Sequence, residues 1–248
     1  MVKGLDTFQK YFADYEEQYV LIGGAACDIL FESNEVNFRA TRDLDMVLIV
    51  EALTPEFGEK FWEFIVDGKY RNKATNGSNP QFYRFDKPED DEFPKMIELF
   101  CRSDFKLKNA KGITPIHIDD EVSSLSAILL NDDYYKALLN GKEVRNGLSV
   151  LRPEYIILFK AKAYLDLQKR KDSGEKLDSS DIKKHKKDVL RIASELMLEK
   201  VEELPIVVDA DIHSFIDLLE QEPFDQNSLK RYGLKNENVV ELLKRVFG

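Results

Sequence analysis

A pair of aspartates directly before an apolar strand constrains this chain more than any other feature. Asp43 and Asp45 precede Met46–Val50, a continuous apolar run rich in β-branched residues. Such a run predicts a strand that is covered on both faces. Side chains alternate along a strand, so the two carboxylates point to one face while Leu44 points to the other. Two carboxylates beside a desolvated strand repel each other, and a bound divalent cation such as Mg²⁺ would remove that cost.

A glycine pair lies upstream of the aspartates. Gly23 and Gly24 join a predicted strand, Tyr19–Ile22, to a predicted helix, Ala25–Phe31. Glycine lets a phosphate approach the backbone closely, and free amides at the start of a helix attract anions. On its own, a glycine pair at such a junction predicts no more than a turn. Followed by two aspartates on the next strand, it indicates a site for the phosphates of a nucleotide.

A third carboxylate is predicted in a β-hairpin further along the chain. Its strands are Gln81–Phe85 and Lys95–Phe100, joined by an acidic turn. Glu98 has an aliphatic residue on each side in the second strand, an unusual position for an acid, and we interpret it as a metal ligand or a base. Asp86 and Asp104 are the alternatives, and an exposed position on an edge strand is the competing interpretation of Glu98.

The order of these elements resembles the signature of the polymerase-β-like nucleotidyltransferases. That signature is a strand, a glycine pair, a helix, an Asp-x-Asp pair and a third acid, more often aspartate, on a later strand. More narrowly, GGAACDIL followed by RATRDLD resembles the AbiEii-type abortive-infection toxin-like branch. In that branch a GG-x-A helix is followed by an R-x-T-x-D-h-D block, where h is an apolar residue, and the block is filled here by Arg39, Thr41, Asp43 and Asp45. The connector between glycines and acids is longer than in the minimal superfamily motif, as it tends to be in this branch.

The resemblance implies a role for each matching residue. The glycines would hold the phosphates of an NTP, with the two residues before the first aspartate beside them, and the acids would bind Mg²⁺ or Mn²⁺. The residues so assigned are Gly23, Gly24, Thr41, Arg42, Asp43, Asp45 and Glu98.

A second stretch of resemblance is LSVLRPEYIILFKAKA at 148–163, which is similar to the family's strand, Pro-Glu and lysine-bearing helix. Lys160, with Ala163 after it, matches the family's lysine, and Lys162 is the alternative. A lysine at this position would neutralise phosphate charge and stabilise the departing pyrophosphate. A solvated surface position is the competing interpretation of either lysine.

The family also has a Lys-Asp element on the following helix. Lys187 and Asp188 match it, and we assign both to nucleotide binding by resemblance. Asp178 and Asp181 lie upstream and compete for the aspartate's place, so the assignment stays open.

The remaining pattern predicts an α+β chain with a boundary at Pro153. The resemblance implies a nucleotidyltransferase-fold domain, a small mixed sheet with flanking helices, over residues 1–152, and the helical pattern predicts a helical domain over 153–248. The further predicted elements are helices at Leu5–Gln18, Pro55–Asp67 and Asp132–Asn140, extended or mixed segments at Ile113–Ile118 and Val122–Leu130, a hairpin at Glu143–Leu151, and helices at Tyr155–Lys171, Ser180–Leu198, Ile212–Glu220, Ser228–Tyr232 and Val239–Phe247.

Composition narrows the environment and the partners. The formal net charge of −10 argues against broad nonspecific nucleic-acid binding, although lysines and arginines concentrate between Lys160 and Arg191. No apolar run approaches the roughly 20 residues of a membrane helix, and the N-terminus has no signal-peptide pattern. Cys27 and Cys101 lie in apolar contexts and the histidines are scattered, so we expect a cytoplasmic protein with reduced cysteines and no zinc site.

These observations predict a metal-dependent nucleotidyltransferase that moves NMP from an NTP to a hydroxyl acceptor. The acceptor is RNA, a protein or a small molecule. The resemblance implies the toxin of a toxin–antitoxin pair, with an antitoxin protein as partner and no membrane involved. The alternative is a non-catalytic nucleotide- or partner-binding module on the same fold.

Overall fold

The computed structural model describes residues 3–32, 43–72, 82–101, 128–129 and 131–248. The chain divides into two compact units, one formed by Met1–Ile118 with Lys142–Leu151 and the other by Asp119–Gly141 with Arg152–Gly248. The strands are β1 (Tyr19–Ile22), β2 (Asp43–Leu48), β3 (Arg71–Asn72), β4 (Phe82–Asp86), β5 (Met96–Cys101), β6 (Lys142–Arg145) and β7 (Leu148–Leu151). The helices are α1 (Leu5–Phe12), α2 (Gly23–Glu32), α3 (Pro55–Asp67), α4 (Asp132–Asn140), α5 (Pro153–Asp172), α6 (Ser179–Glu195), α7 (Ile206–Gln221), α8 (Gln226–Arg231) and α9 (Asn236–Phe247).

The described strands of the first unit form one mixed sheet. Its order is β3-β4-β5-β2-β1-β7-β6, with β2 at the centre. β2 runs antiparallel to β1 and parallel to β5, while β5 and β4 form the predicted antiparallel hairpin. The α+β class with a mixed sheet and flanking helices is therefore confirmed.

One face of this sheet is covered by aromatic side chains from α1 and α3. Phe8 meets the ring of Tyr19 edge-on at 5.5 Å, and Phe61 meets Phe85 at 5.5 Å. Aromatic rings bury large apolar areas, so this face forms the main core of the unit. Because side chains alternate along β1 and β4, the residues next to Tyr19 and Phe85 point to the opposite face, which is where the acids lie.

Local signals explain most element boundaries. Thr54 accepts a hydrogen bond from the backbone N–H of Phe57 (3.3 Å), with Pro55 at the first position of α3, and the predicted bounds of α3 are confirmed. The prediction that α1 extends to Gln18 is wrong, because α1 ends at Phe12. The side chain of Gln18 instead accepts from the backbone N–H of Thr54 at 2.9 Å, which ties the start of β1 to the start of α3.

The second unit is helical, with α5 packed against α4, α6 and α7. The predicted boundary at Pro153 coincides with the start of α5, but α4, expected in the N-terminal domain, groups with the C-terminal helices. The reason is tertiary: the buried ring of Tyr134 packs edge-on against Phe159 at 5.5 Å, and its hydroxyl donates to Asp211 at 3.1 Å. The division into domains at 1–152 and 153–248 stays a prediction.

The predicted segments at 113–118 and most of 122–130 lie outside the described residues. Within the described ranges, no helix combines the length and apolar character needed to cross a bilayer.

Candidate active site

Strand register brings the predicted acids together on one face of the sheet. Asp45 on β2 lies directly opposite Glu98 on β5, and Asp43 lies two residues before Asp45 on the same face. Neighbouring strands are about 4.8 Å apart, so Asp45 and Glu98 are adjacent side chains. We call Asp43, Asp45 and Glu98 the acid row.

Glu98 is buried at the interior of the sheet. Its strand lies between β2 and β4, and the residue is 7% exposed, so the alternative of an exposed edge position is wrong. Nε of Arg84, the residue opposite it on β4, donates to Oε1 of Glu98 at 2.7 Å, and Nη2 of Arg84 binds the same oxygen.

Burial and the neighbouring groups shift the pKa of the Glu98 carboxyl in opposite directions. Burial raises the pKa of the Glu98 carboxyl, and the negative charge of Asp43 adds to this, while Arg84 and a hydrogen bond with Asp45 lower it. The balance is a raised pKa, as expected where acids crowd at a desolvated strand. The same hydrogen bond places the carboxyl groups of Asp45 and Glu98 in contact.

The backbone of Gly23 lies close to the acid row. This glycine is the first residue of α2 and has φ of +59°, a left-handed conformation that favours glycine. A Cβ at this position would lie 2.3 Å from Oδ2 of Asp45. The backbone conformation therefore favours glycine here, and a Cβ would fit only if the carboxylate of Asp45 moved away. Gly24 follows as a buried residue of the same helix.

The donor set has the chemistry of a magnesium site that is completed by its substrate. Asp43 and Asp45 are half-buried and present hard oxygen ligands on one face. In the part of the chain that the structure describes, no three or more His, Cys, Asp or Glu side chains are arranged to hold a metal by themselves. Mg²⁺ is commonly held by one or two carboxylates together with waters and substrate phosphates, which is the arrangement that these residues fit.

The alternatives for the third acid are separated by the register. Asp86 on β4 lies on the same face of the sheet, but β5 separates it from β2. Met96 of β5 pairs with Asp86 on one side and with Asp43 on the other, so Asp86 and Asp43 are two strands apart. That separation is about 10 Å, twice the spacing of Asp45 and Glu98. Among the described acids, the register therefore favours Glu98. Asp104 lies outside the described residues, as do Arg39, Thr41 and Arg42.

Arg84 is the residue that sequence reasoning missed. The signal was present, since Arg84 occupies an alternate position of a predicted strand that pairs with the strand of Glu98. Identifying Arg84 as the partner of Glu98 required the register of that hairpin, which the sequence of a long acidic turn does not determine.

The lysine and aspartate candidates of the helical unit form an ion pair. Nζ of Lys160 on α5 lies 3.1 Å from Oδ2 of Asp188 on α6, and their side chains are 12% and 8% exposed. Lys187 is exposed beside Asp188. Lys162, the alternative to Lys160, lies 3.1 Å from both Asp166 and Asp211.

The competing aspartates have other partners. Asp178 caps α6 by accepting from the backbone N–H of Ser180 at 2.8 Å, and Asp181 lies 3.6 Å from Lys184. Asp188 is therefore the aspartate that pairs with the candidate lysine. Binding of a nucleotide by Lys160, Lys187 or Asp188 stays a prediction.

Comparisons with known proteins give one structural likeness. No protein-family model and no curated protein matches the chain. The fold is similar to the crystal structure of an antigenic nucleotidyltransferase-like protein from Paracoccidioides brasiliensis, with a TM-score of 0.47 and 15% sequence identity, covering 94% of this chain and 96% of that one. This likeness assigns no activity to the chain.

Proposed function

We propose that this protein is a metal-dependent nucleotidyltransferase that transfers NMP from an NTP to a hydroxyl group. The observation that carries the proposal is the close approach of the glycine turn (Gly23 and Gly24) to the acid row. A Cβ on Gly23 would lie 2.3 Å from Oδ2 of Asp45, and Asp45 lies opposite Glu98. A glycine backbone lets a phosphate approach closely, and carboxylates clustered on one face of the sheet can bind a metal ion. The two features together suit the binding of a nucleotide with its metal.

The reaction follows from the parts of the site. The acceptor oxygen bonds to the α-phosphorus of the NTP, the bond from that phosphorus to the bridging oxygen breaks, and pyrophosphate leaves. Mg²⁺ or Mn²⁺ held by Asp43 and Asp45 would orient the phosphates and offset the charge that develops on them. Glu98 takes the proton of the acceptor hydroxyl, a role that its place opposite Asp45 on the same sheet face allows.

The remaining assignments extend this proposal. Gly23 and Gly24 bind the triphosphate through the backbone at the start of α2. A role of Lys160, Lys187 and Asp188 in nucleotide binding is part of the proposal by resemblance of the motif alone. The acceptor is RNA, a protein or a small molecule, and the resemblance of the motif favours a cytoplasmic toxin with an antitoxin partner.

The test is incubation of the purified protein with each α-labelled NTP, Mg²⁺ and a mixture of total RNA and cell extract. Label is expected on one acceptor class, and EDTA and Asp43→Ala are each expected to remove it. Losing a metal ligand of this kind costs several kcal/mol of transition-state stabilisation, a loss of about a thousandfold. Undiminished transfer by Asp43→Ala would overturn the mechanism.

A toxin role makes a separate prediction. Expression of the wild-type protein is expected to slow growth, and expression of Asp43→Ala at the same level is not. Transfer in vitro without any growth effect would leave the enzyme proposal in place and remove the toxin role.

The rival function is a non-catalytic nucleotide-binding module on the same fold. The Arg84–Glu98 contact forms without a substrate, so it is compatible with such a module as well as with an enzyme. The rival predicts Mg²⁺-dependent binding of an NTP with no label transferred to any acceptor. Equilibrium binding of fluorescent NTP analogues, measured beside the transfer assay, separates the two functions.

A further inference from the structure

The guanidinium of Arg84 holds Glu98 in a defined orientation. It approaches from the neighbouring strand, and both Nε and Nη2 bind the single oxygen Oε1 of Glu98, with the Nε distance at 2.7 Å. Two donors of one rigid, planar group hold that oxygen in place more tightly than a single lysine ammonium would.

Glu98 needs such a partner because its surroundings otherwise disfavour a charged carboxylate. Burial and the negative charge of Asp43 both oppose ionisation of Glu98, whereas Arg84 and the hydrogen bond with Asp45 favour it. The residue is 7% exposed, so little water reaches it to replace a protein partner. A flexible glutamate in this environment would turn away from the row unless a cation held it.

We propose that Arg84 is a positioning residue of the transfer site, which fixes the Glu98 carboxylate against Asp45 from the neighbouring strand. The inference rests on the proposed function and adds to it a residue that acts through Glu98. Groups that orient catalytic side chains in this way typically change activity by about 10-fold to 100-fold when they are removed.

The kinetic test uses Arg84→Met, which keeps the length of the side chain and removes its donors. The kcat for NMP transfer is expected to fall about 10-fold to 100-fold while the KM for the NTP stays within about twofold. In a Glu98→Gln background, Arg84→Met is expected to add nothing, because the residue that it positions is already gone. Arg84→Lys is expected to fall between the wild type and Arg84→Met.

The chain offers a matched control on the same sheet. Nε of Arg145 donates to Oε1 of Glu143 at 2.9 Å on β6, in an exposed pair at the edge. Arg145→Met is expected to leave kcat unchanged. A higher KM with unchanged kcat in Arg84→Met would assign Arg84 to phosphate binding and overturn the proposal, as would a loss that adds fully to that of Glu98→Gln.

A structural readout keeps the inference testable without turnover. If neither the wild type nor any variant transfers label, the proposed function fails, and crystal structures of the wild type and Arg84→Met still decide the positioning role. Displacement of the Glu98 carboxylate in the variant supports it, and a carboxylate that stays in place overturns it. If Arg84→Met does not fold, Arg84→Lys serves for the same comparison.

Discussion

Replacing Gly23 by alanine tests the contact between the glycine turn and the acid row. The residue has φ of +59°, and its added Cβ would lie 2.3 Å from Oδ2 of Asp45. The backbone conformation alone costs a non-glycine residue about 1–2 kcal/mol. For a chain of this size each kcal/mol lowers Tm by about 2–4 °C, so the strain predicts a measurable loss of thermal stability.

The effect on activity comes from the clash. Ordinary van der Waals contact begins at 3.4 Å, so a carboxylate oxygen at 2.3 Å must retreat by about 1 Å. A misplacement of about 1 Å at a reacting centre can cost about 100-fold in rate. Gly23→Ala is therefore expected to lower kcat for transfer by about two orders of magnitude while the protein remains folded at the assay temperature.

Gly233→Ala is the matched control, assayed with labelled NTP and by thermal denaturation. Gly233 has φ of +65°, and in the described part of the chain a Cβ there would meet open space. It should therefore lose comparable stability without losing activity. Full transfer by Gly23→Ala would refute the reasoning, and an equal loss of activity in both variants would show that stability alone is responsible.

Further predictions concern the third acid and two buried groups of the helical unit. Glu98→Gln is expected to lower kcat for transfer about 100-fold to 10,000-fold, as loss of a general base does. Asp86→Asn is expected to keep kcat within about twofold of the wild type. The reverse result would make Asp86 the third acid. Asp188→Ala is expected to lower the free energy of unfolding by about 3–5 kcal/mol because it breaks the buried ion pair with Lys160, and a loss below about 1 kcal/mol in urea denaturation would contradict the importance of that pair. Burial raises the pKa of the Glu154 carboxyl, so the folded state binds its proton more tightly than the unfolded state does. This proton binding stabilises the folded state at low pH, and the stabilisation is lost as pH rises through the raised pKa. Glu154→Gln should therefore be more stable than the wild type at neutral pH and lose that advantage in acid; a difference independent of pH would contradict this.

The features that the sequence predicted correctly are local ones. The strand of Asp43 and Asp45 follows from an apolar run, and the start of α3 follows from a threonine cap and a proline. The Asn146-Gly147 turn between β6 and β7 has φ of +51° and +68°, as a two-residue hairpin turn with these residues favours. Each of these signals lies within a few residues of the structure that it specifies.

The features that the sequence could not specify depend on distant pairing. The contact between Asp45 and Glu98 requires β2 and β5 to lie side by side in parallel, although a long stretch of chain separates them. The role of Arg84 depends further on the register of β4 against β5, since a slip of one residue would turn its side chain to the other face. The pairing of Lys160 with Asp188 likewise depends on how α5 packs against α6.

The measurement that tests the central claim most directly is the fate of the label in an NTP labelled at either the α- or the γ-phosphate. Nucleotidyl transfer at the acid row predicts Mg²⁺-dependent transfer of α-label to an acceptor, γ-label recovered only in pyrophosphate, and loss of both signals in Asp43→Ala. Transfer of γ-label to the acceptor, or α-label transfer that survives Asp43→Ala, would contradict the account.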